Sequence, residues 1–417
     1  MNNFLFISAK CVIWALTLVF TFWTCAFGTV IRVPSVCPNI QAGIDAANNG
    51  DTVLVADGVY AGEGNINLDL KGKNIQVIAP NGPQFCVIDC GRKGRGFYFH
   101  NGEKETCIIS GFKIVNGFVD GIGAEGMGGG IYCVNSSPTI KNCVISDNVA
   151  YEPGGGIALE NSSAIIKNCI IRNNEAHRGG GIDCYNSQGV QVINCVVSKN
   201  TGWNIDGGIS IYNSFINLVN CTVVFNTGNF GDGGIGGSFS TVNIKNCIVR
   251  YNTPDNLAFS PFAPVSVSYS DIQGGWLGMG NVDVNPLFVD SFNDDYHLRH
   301  GSPCVDAGTS DGAPVTDLDG NPRFDDPETE PNTGAGDLDY IDMGAYEYIP
   351  ACHGDFNKDS DVDGTDLASF GEKYGKYECD SASNCEDDLN HDGRVDEQDL
   401  EIFAKNFGRS ICPNYSN

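Results

Sequence analysis

The feature that most constrains this chain is a repeat of 26 residues in its central part. The dipeptide Asn-Cys recurs at that interval, at Asn142-Cys143, Asn168-Cys169, Asn194-Cys195, Asn220-Cys221 and Asn246-Cys247. Nearby apolar positions keep the same step, and a Gly-Gly-Ile element precedes each copy. A fixed period of this length is typical of stacked supersecondary units, each of which buries its apolar face against the next.

Composition indicates which unit repeats. Apolar and polar residues alternate with period two, β-branched residues are frequent, and the chain's 53 glycines supply turns. A unit with about three short strands and three turns is one turn of a parallel β-helix. We therefore predict an all-β fold, a single-stranded parallel β-helix of about nine turns over residues 54–290.

Stacking of successive turns places like residues in columns. The five repeat cysteines are predicted to point into the core. Two ladders of asparagine are predicted at turns, because stacked side-chain amides can satisfy one another. The first ladder is Asn148, Asn174, Asn200, Asn226 and Asn252, and the second is Asn135, Asn161, Asn186 and Asn213.

The column of cysteines has two interpretations, one chemical and one structural. Stacked thiols could bind metal or form disulfides, but spacing by whole turns is unlike a zinc motif, and parallel Cβ vectors suit a disulfide poorly. The structural interpretation, which we favour, is that cysteine serves here as a small buried hydrophobic residue.

The N-terminus reads as a secretion signal over residues 1–28, in which Lys10 precedes an apolar stretch and Ala26-x-Gly28 offers a cleavage site. The alternative is an uncleaved membrane anchor. No membrane span is expected in the mature chain, which we place outside the cell, free or attached to a surface. An oxidising compartment makes disulfides plausible, with Cys352–Cys412 and Cys379–Cys385 the best pairs.

Charge is concentrated in the last third of the chain. The net charge is −27, and residues 286–417 hold 31 of the 51 acidic side chains but 8 of the 24 basic ones. This distribution excludes nucleic-acid binding through basic patches. Clustered acids indicate either divalent-cation binding or a solvated surface.

Residues 29–60 are predicted to cap the β-helix with a short helix that presents Ile40, Ile44 and Ala47 on one face and ends at Asn49-Gly50. Together with the repeats, this stretch resembles secreted bacterial proteins of the right-handed parallel β-helix, or pectin-lyase-like, class over residues 29–285. The resemblance implies the fold and a polysaccharide-related role. It does not imply one activity, because this fold hosts lyases, hydrolases, epimerases and inert adhesins.

Residues 286–350 carry the pattern "PLFVD…GSPCVDAG…DMGAYEY". It resembles the C-terminal segment of bacterial β-helix proteins that is named for the variable surface anchors following it. We expect a last turn plus cap, with Arg323 paired to Asp342 or Glu347. Asp317 and Asp319 could chelate a cation, although a polar turn is favoured.

Residues 351–417 contain two twelve-residue loops, "DFNKDSDVDGTD" and "DLNHDGRVDEQD", 33 residues apart and each followed by a helical pattern. Oxygen ligands fall at the positions of an EF-hand calcium loop, so the sequence predicts two Ca²⁺ ions. The predicted ligands are Asp355, Asn357, Asp359, Asp361 through its carbonyl, Asp363 and Asp366 in the first loop, and Asp388, Asn390, Asp392, Arg394 through its carbonyl, Asp396 and Asp399 in the second.

The duplicated loop–helix unit resembles a type I dockerin, a small α-helical EF-hand-like domain. The resemblance implies docking onto a cohesin domain of a scaffold or cell surface. Ser360 stands where the second loop has Gly393, so the first site is expected to bind calcium more weakly.

Catalytic motifs are harder to find. Glu160 and Asp183 lie on neighbouring turns at a predicted separation of about 8 Å, within the range for an inverting glycosidase. Tyr185 and Tyr212 could stack on sugar rings, and the alternative for all four is an ordinary solvated sheet face. Two functions stay open: a secreted protein that acts on or binds extracellular polysaccharide, as a lyase or glycosidase if it is an enzyme, or a non-catalytic surface adhesin.

Overall fold

The computed structural model describes residues 28–325, 333–350, 352, 354–359, 361–377, 387–390, 392–409 and 412. The predicted secretion signal, except Gly28, lies outside the described residues. So do Cys379, Cys385 and Ser360.

The central part of the chain is a β-solenoid of about nine turns, as predicted. Each full turn contributes one strand to three stacked parallel sheets, and the middle turns add a strand to a fourth. Along the chain the order within a turn is sheet 3, sheet 1, sheet 2 and sheet 4. Side chains alternate between the core and the outside along each strand, which is the source of the period-two pattern.

Sheet 1 has the strands Val30–Val33, Thr52–Val55, Gln76–Ile78, Ile108–Ser110, Thr139–Lys141, Ile165–Lys167, Gln188–Ile193, Phe215–Val219, Thr241–Lys245 and Val265–Ser268. Sheet 2 has Gly58–Ala61, Cys86–Asp89, Lys113–Val115, Val144–Ser146, Ile170–Arg172, Val196–Ser198, Thr222–Val224, Ile248–Arg250 and Asp271–Ile272. Sheet 3 has Phe97–Phe99, Ile131–Val134, Ile157–Glu160, Ile182–Tyr185, Ile209–Tyr212, Ile235–Ser238 and Leu257–Phe259. Sheet 4 has Phe118–Val119, Val149–Ala150, Glu175–Arg178, Thr201–Ile205 and Thr227–Gly228. A separate antiparallel pair joins Phe288–Asp290 to Asp295–Leu298.

The five repeat cysteines point inward, as predicted, and each is at most 1% exposed. They are free thiols that pack within the same apolar cluster as Ile140, Ile166 and Val192. Their role as small buried hydrophobes is therefore confirmed.

The first asparagine ladder is also confirmed. Its members are buried, and each side-chain amide donates to the oxygen of the next, for example Asn174 to Asn200 at 3.0 Å and Asn200 to Asn226 at 2.9 Å. The same amide donates to a core-strand carbonyl of the previous turn, such as Asn200 to Ile171 at 2.9 Å. The ladder thus satisfies buried polar groups at the turn between sheets 2 and 4.

The second asparagine ladder lies at the surface, where the Asn213 side-chain amide donates to the side-chain oxygen of Asn186 at 2.8 Å. Asn135, Asn161 and Asn213 are exposed and Asn186 is half-buried, and all four adopt left-handed backbone conformations with φ of 47–51°. The buried ladder at this corner is built from the serine that follows each of them: Ser187 N–H donates to Ser214 Oγ at 2.9 Å, and Ser214 N–H to Ser240 Oγ at 3.1 Å. The repeated Asn-Ser dipeptide was the sequence feature that marked it.

The N-terminal end is covered by helix α1, Ile40–Ala46, which ends three residues before the predicted stop. Ile40, Ile44 and Ala47 are buried on one face, as expected. Asn39 caps the helix by accepting a hydrogen bond from Ala42 N–H at 2.8 Å. A short 3₁₀ helix, Gly123–Gly126, lies between the strands of sheets 4 and 3.

Residues 286–325 and 333–348 are here called the strap. The expectation that this segment forms a last turn and end cap is wrong, because it lies along the side of the solenoid. The outer face of sheet 2, including Val196, Val224 and Ile248, packs against strap residues. A 3₁₀ helix, Ser291–Asn293, belongs to this segment. The strap docks here because outward positions of sheet 2 are apolar in these turns, whereas a solvated face would be polar.

Polar contacts fix the position of the strap. Asn220 donates to the carbonyls of Asp342 and Gly344 at 3.0 and 3.3 Å, and Arg172 pairs with Asp294 at 2.6 Å. Within the strap, Arg323 pairs with Glu347 at 2.6 Å, one of its two predicted partners.

Asp317 and Asp319 have separate roles in the strap. Asp317 accepts hydrogen bonds from Asn321 N–H at 2.7 Å and Glu347 N–H at 3.0 Å, while Asp319 reaches His297. Asp317 therefore holds the favoured polar turn, and Asp319 pairs with His297 instead.

Candidate functional site

The outer face of sheet 3 presents two columns of side chains, set by the parallel register of its strands. One column is Tyr98, Tyr132, Ala158, Asp183, Ser210, Gly236 and Ala258. The other is Val134, Glu160, Tyr185, Tyr212 and Ser238. The first column changes from large aromatic to small residues along the solenoid, so it opens into a cleft at its C-terminal end.

The two predicted carboxylates lie in different columns and already have partners. Glu160 accepts a hydrogen bond from the Tyr132 hydroxyl at 2.6 Å. Asp183 is buried and receives two hydrogen bonds from Arg178, at 2.8 and 3.3 Å. Arg178 is itself largely covered, because this ion pair holds its guanidinium against the sheet.

Burial raises the pKa of Asp183, and the charge and hydrogen bonds of Arg178 oppose that rise. The pair therefore holds one positive and one negative charge close together. A buried ion pair of this kind orders the site, and loss of either partner would leave an uncompensated charge.

Tyr185, which is half-buried, and Tyr212, which is exposed, form an aromatic stripe. Their rings stack at a centroid distance of 5.5 Å with an interplanar angle of 10°. The ring of Phe239, which is 73% exposed, packs edge-on against Tyr212 at 5.6 Å. Exposed aromatic surface beside polar groups is typical of a ligand-binding face.

A carboxyl pair that the sequence reasoning missed, Asp206 and Asp232, lies in the cleft next to this stripe. The cleft has a volume of about 260 Å³ and is lined by Arg178, Ser210 and Tyr212 as well as by the two acids. A Cβ atom on Gly236 would lie 2.0 Å from Asp206 Oδ1 and 2.6 Å from Asp232 Oδ2. The two oxygens are thus less than 5 Å apart, and the absent side chain of Gly236 makes room for them.

The two acids lie so close together that the ionisation of one disfavours the ionisation of the other. Burial raises the pKa of Asp206 to about 6, with the charge of Asp183 adding to it and Ser210 opposing it. Burial, followed by the charges of Asp206 and Asp255, raises the pKa of Asp232 to about 7. The pair titrates as a unit near neutral pH.

A sequence feature could have revealed this pair. The first glycine of the repeated Gly-Gly-Gly-Ile element, at Gly128, Gly154 and Gly179, is replaced by Asp206 and Asp232 in the next two turns. Two acids at one repeat position lie over each other at about the 4.8 Å strand spacing. Such stacking of like charges is unfavourable unless a proton or ligand relieves it.

The C-terminal calcium-loop candidates form a two-fold repeated structure. Helices α2, Gly364–Lys373, and α3, Glu397–Asn406, begin with the same capping box, at Asp363 and Asp396. The twelfth loop residue acts alike in both: Asp366 accepts from Phe356 N–H and Asp399 from Leu389 N–H, each at 2.8 Å.

Each loop also pairs with the segment that follows the other loop's helix. Val362 N–H donates to the carbonyl of Arg409 at 2.9 Å, and Val395 N–H to that of Lys376 at 3.0 Å. Between the helices, Phe356, Phe370 and Phe403 stack, with ring centroids 5.5–6.3 Å apart. The predicted disulfide Cys352–Cys412 is present.

The donor set of the loops fits a hard cation. In the first loop, carboxylate oxygens of Asp355, Asp359 and Asp366 lie within 4.8 Å of one another. So do those of Asp361, Asp363 and Asp366, although Asp361 is predicted to bind through its carbonyl. In the second, Asp388 and Asp392 adopt matching turns, in which Asp392 N–H donates to Asp388 Oδ1 at 3.1 Å. Carboxylate and carbonyl oxygens are the ligands that Ca²⁺ prefers.

Comparison with known proteins places the fold. Residues 48–258 match the family model described as "Right handed beta helix region", and the chain belongs to that family. A comparison with curated proteins finds no match. Among the described residues, no helix has the length and apolar character that a membrane crossing requires.

Solved structures are similar at low identity. Pectate lyase Pel9A is 15% identical, with 77% of this chain and 96% of that chain covered and a TM-score of 0.39. A pectin methylesterase from Aspergillus niger is 12% identical, with 66% and 91% covered and a TM-score of 0.39. A pectin methylesterase from carrot is 12% identical, with 63% and 85% covered and a TM-score of 0.32. These similarities concern the fold alone.

Proposed function

We propose that this chain is an extracellular β-helix protein that binds polysaccharide in the sheet 3 cleft and is attached to a surface through its C-terminal module. The observation that carries the proposal is the Tyr185–Tyr212 stack, with Tyr212 exposed, beside the Asp206–Asp232 pair. Sugar rings present an apolar face that packs on aromatic rings, and their hydroxyl groups donate to carboxylates. A cleft with aromatic walls and a few polar groups suits such a ligand.

Cleavage of the bound glycan is the second candidate function. A carboxyl group with a pKa of about 7, as at Asp232, is half protonated at neutral pH and suits general acid–base catalysis. The pair is tighter than the about 5–5.5 Å that separates the carboxyl groups of a retaining glycosidase. The geometry therefore favours binding over that reaction.

A polysaccharide panel tests both functions. The full chain is assayed for retention in affinity electrophoresis, and for release of reducing ends and unsaturated uronates. Gly236→Ala places a methyl group between the two acids and is expected to weaken glycan binding at least about tenfold. Gly371→Ala, where an added methyl meets nothing within 4 Å, is the control. Equal binding by the two variants would exclude the cleft as the glycan site.

For the C-terminal module we propose two Ca²⁺ ions, held by the predicted ligands of the two loops. The support is the convergence of hard oxygen atoms and the matching geometry of the loops. Without a cation these carboxylates repel one another. The apolar core of the module is small, so bound metal would supplement burial.

Calorimetry on the full chain tests the calcium sites. Calcium is expected to raise the unfolding temperature of the module, and EDTA to lower it while the β-helix transition stays in place. Asp388→Ala with Asp392→Ala should abolish one of two binding events. Glu372→Ala with Glu401→Ala removes two exposed acids from the helices and should leave both. Absence of binding at millimolar calcium would defeat this part of the proposal.

Attachment through a cohesin-like domain is the third part of the proposal. Tyr374 and Phe407 occupy equivalent positions after the two helices and are 51% and 50% exposed, which leaves paired apolar surface for a partner. Binding to purified cohesin domains should require calcium. If the module binds calcium but no cohesin, the proposed calcium sites stand and the proposed attachment is excluded.

A further inference from the structure

We propose that the sheet 3 cleft selects uncharged glycans and rejects polyuronates, with the Asp206–Asp232 pair as the discriminating element. The inference rests on the proposed glycan binding and specifies its substrate class. This specificity distinguishes the chain from a protein of the same fold that binds polyuronates, because the carboxylates of the cleft accept hydrogen bonds from sugar hydroxyl groups.

The first support is the charge balance of the cleft. Among the lining residues that the structure describes, Arg178 is the basic one, and Asp183 occupies its guanidinium with two hydrogen bonds. Its charge is therefore already compensated. Asp206 and Asp232 add negative charge, and Asp255 lies close enough to raise the pKa of Asp232 further.

The second support is the position of the pair. The two carboxyl groups converge over Gly236, beside Ser210 and the Tyr212 ring that walls the cleft. A hydroxyl of a neutral sugar placed there donates to a carboxylate and relieves the repulsion within the pair. A uronate carboxylate placed there adds a third negative charge and, unlike a hydroxyl, donates no hydrogen bond. Both effects cost free energy in a partly desolvated cleft.

The third support is the protonation range of the pair. Because the pKa values are raised to about 6 and about 7, the pair is largely protonated at pH 5 and ionised at pH 8. The charged groups that face it are Arg178, Asp183 and Asp255. Rejection of polyuronates should therefore be weak at pH 5 and strong at pH 8.

The test measures binding of xyloglucan, galactomannan and polygalacturonate to the full chain at pH 5 and pH 8 in 0.15 M salt. At that ionic strength charges beyond about 8 Å are screened, so the charges of the cleft dominate. The wild-type ratio of polygalacturonate to neutral-glycan affinity should fall at least about fivefold from pH 5 to pH 8. Asp206→Asn with Asp232→Asn should raise that ratio at pH 8 and make it nearly independent of pH.

The matched control is Asp120→Asn, which removes an exposed acid outside the cleft and should keep the wild-type pH dependence. The Asp206→Asn change is compatible with the left-handed backbone at that position. The wild-type measurements at the two pH values test the inference independently of the variant. Tighter binding of polygalacturonate than of both neutral glycans at pH 8, or a ratio that does not change with pH, would overturn the inference alone. Failure to bind any of the three at either pH would overturn the proposed glycan binding as well.

Discussion

At the scale of single residues, His297 links the strap's stability to pH. Its Nδ1 lies 2.6 Å from Asp295 and its Nε2 2.8 Å from Asp319. Burial acts to lower the pKa of His297, but the hydrogen bonds with Asp319 and Asp295 outweigh it and raise the pKa above the usual value. The folded state thus holds the imidazolium more tightly than the unfolded state does.

A pH-dependent loss of stability follows for His297→Gln. The stabilisation from a raised histidine pKa is fully present below the unfolded value of 6.5 and is lost as pH rises through the folded value. We expect the variant to unfold about 2–4 °C below wild type at pH 5.5 and at nearly the wild-type temperature at pH 9. His177→Gln, at an exposed histidine, is the control. A deficit that does not change with pH would mean that packing alone holds His297.

Residue-level sequence reasoning succeeded where the repeat itself carries the information. The cysteine column and the asparagine ladder at Asn200 could be predicted because each position recurs with the same chemistry. Asp206 and Asp232 were missed because they depart from the repeat, at a position where glycine is otherwise required. The partner of Asp183 was missed because Arg178 reaches it around a turn.

At the scale of single elements, the buried ladder makes a testable contribution to stability. In Asn200→Ala, the N–H and side-chain amide of Asn174 lose their acceptor, and the carbonyl of Ile171 loses a donor. Each buried unsatisfied group costs about 1–3 kcal/mol, so we expect a loss of about 3–5 kcal/mol in the β-helix unfolding transition in urea.

The control is Asn217→Ala. Asn217 accepts a bond from Asn243 at 2.8 Å on the partly exposed face of sheet 1, where water can replace it. Its loss should be below about 1 kcal/mol. Equal losses at Asn200 and Asn217 would show that the ladder adds nothing beyond a surface pair.

The strap is the second element whose docking can be tested. Asn220 and Asn142 occupy equivalent positions in different copies of the repeat, at the bend between sheets 1 and 2. Their φ angles are 50° and 52°, so glycine fits both backbones. Asn220 donates to two strap carbonyls, whereas Asn142 is exposed. Asn220→Gly should speed proteolysis within residues 309–325 and 333–346 by about tenfold, since loss of about 1.4 kcal/mol raises the open population tenfold. Asn142→Gly should not, and equal rates would contradict docking through this turn.

At the scale of the whole molecule, the solenoid could be predicted because one 26-residue period fixes the order in which strands stack and which side chains face inward. The strand that the middle turns add to a fourth sheet was not predicted. The path of the strap could not be predicted, because it depends on matching an apolar outer face of sheet 2 to a segment more than 100 residues away in sequence. The cleft could not be predicted either. It forms where two departures from the repeat, at Asp206 and Asp232, meet Gly236 on adjacent turns.

The measurement that tests the central claim most directly is a crystal structure of the full chain with a bound neutral oligosaccharide taken from the polysaccharide that binds best. We expect a sugar ring packed against Tyr212, above Gly236, with a hydroxyl oxygen within about 3.0 Å of a carboxylate oxygen of Asp206 or Asp232. A ligand bound on another face of the solenoid, with the cleft holding no sugar, would contradict the claim.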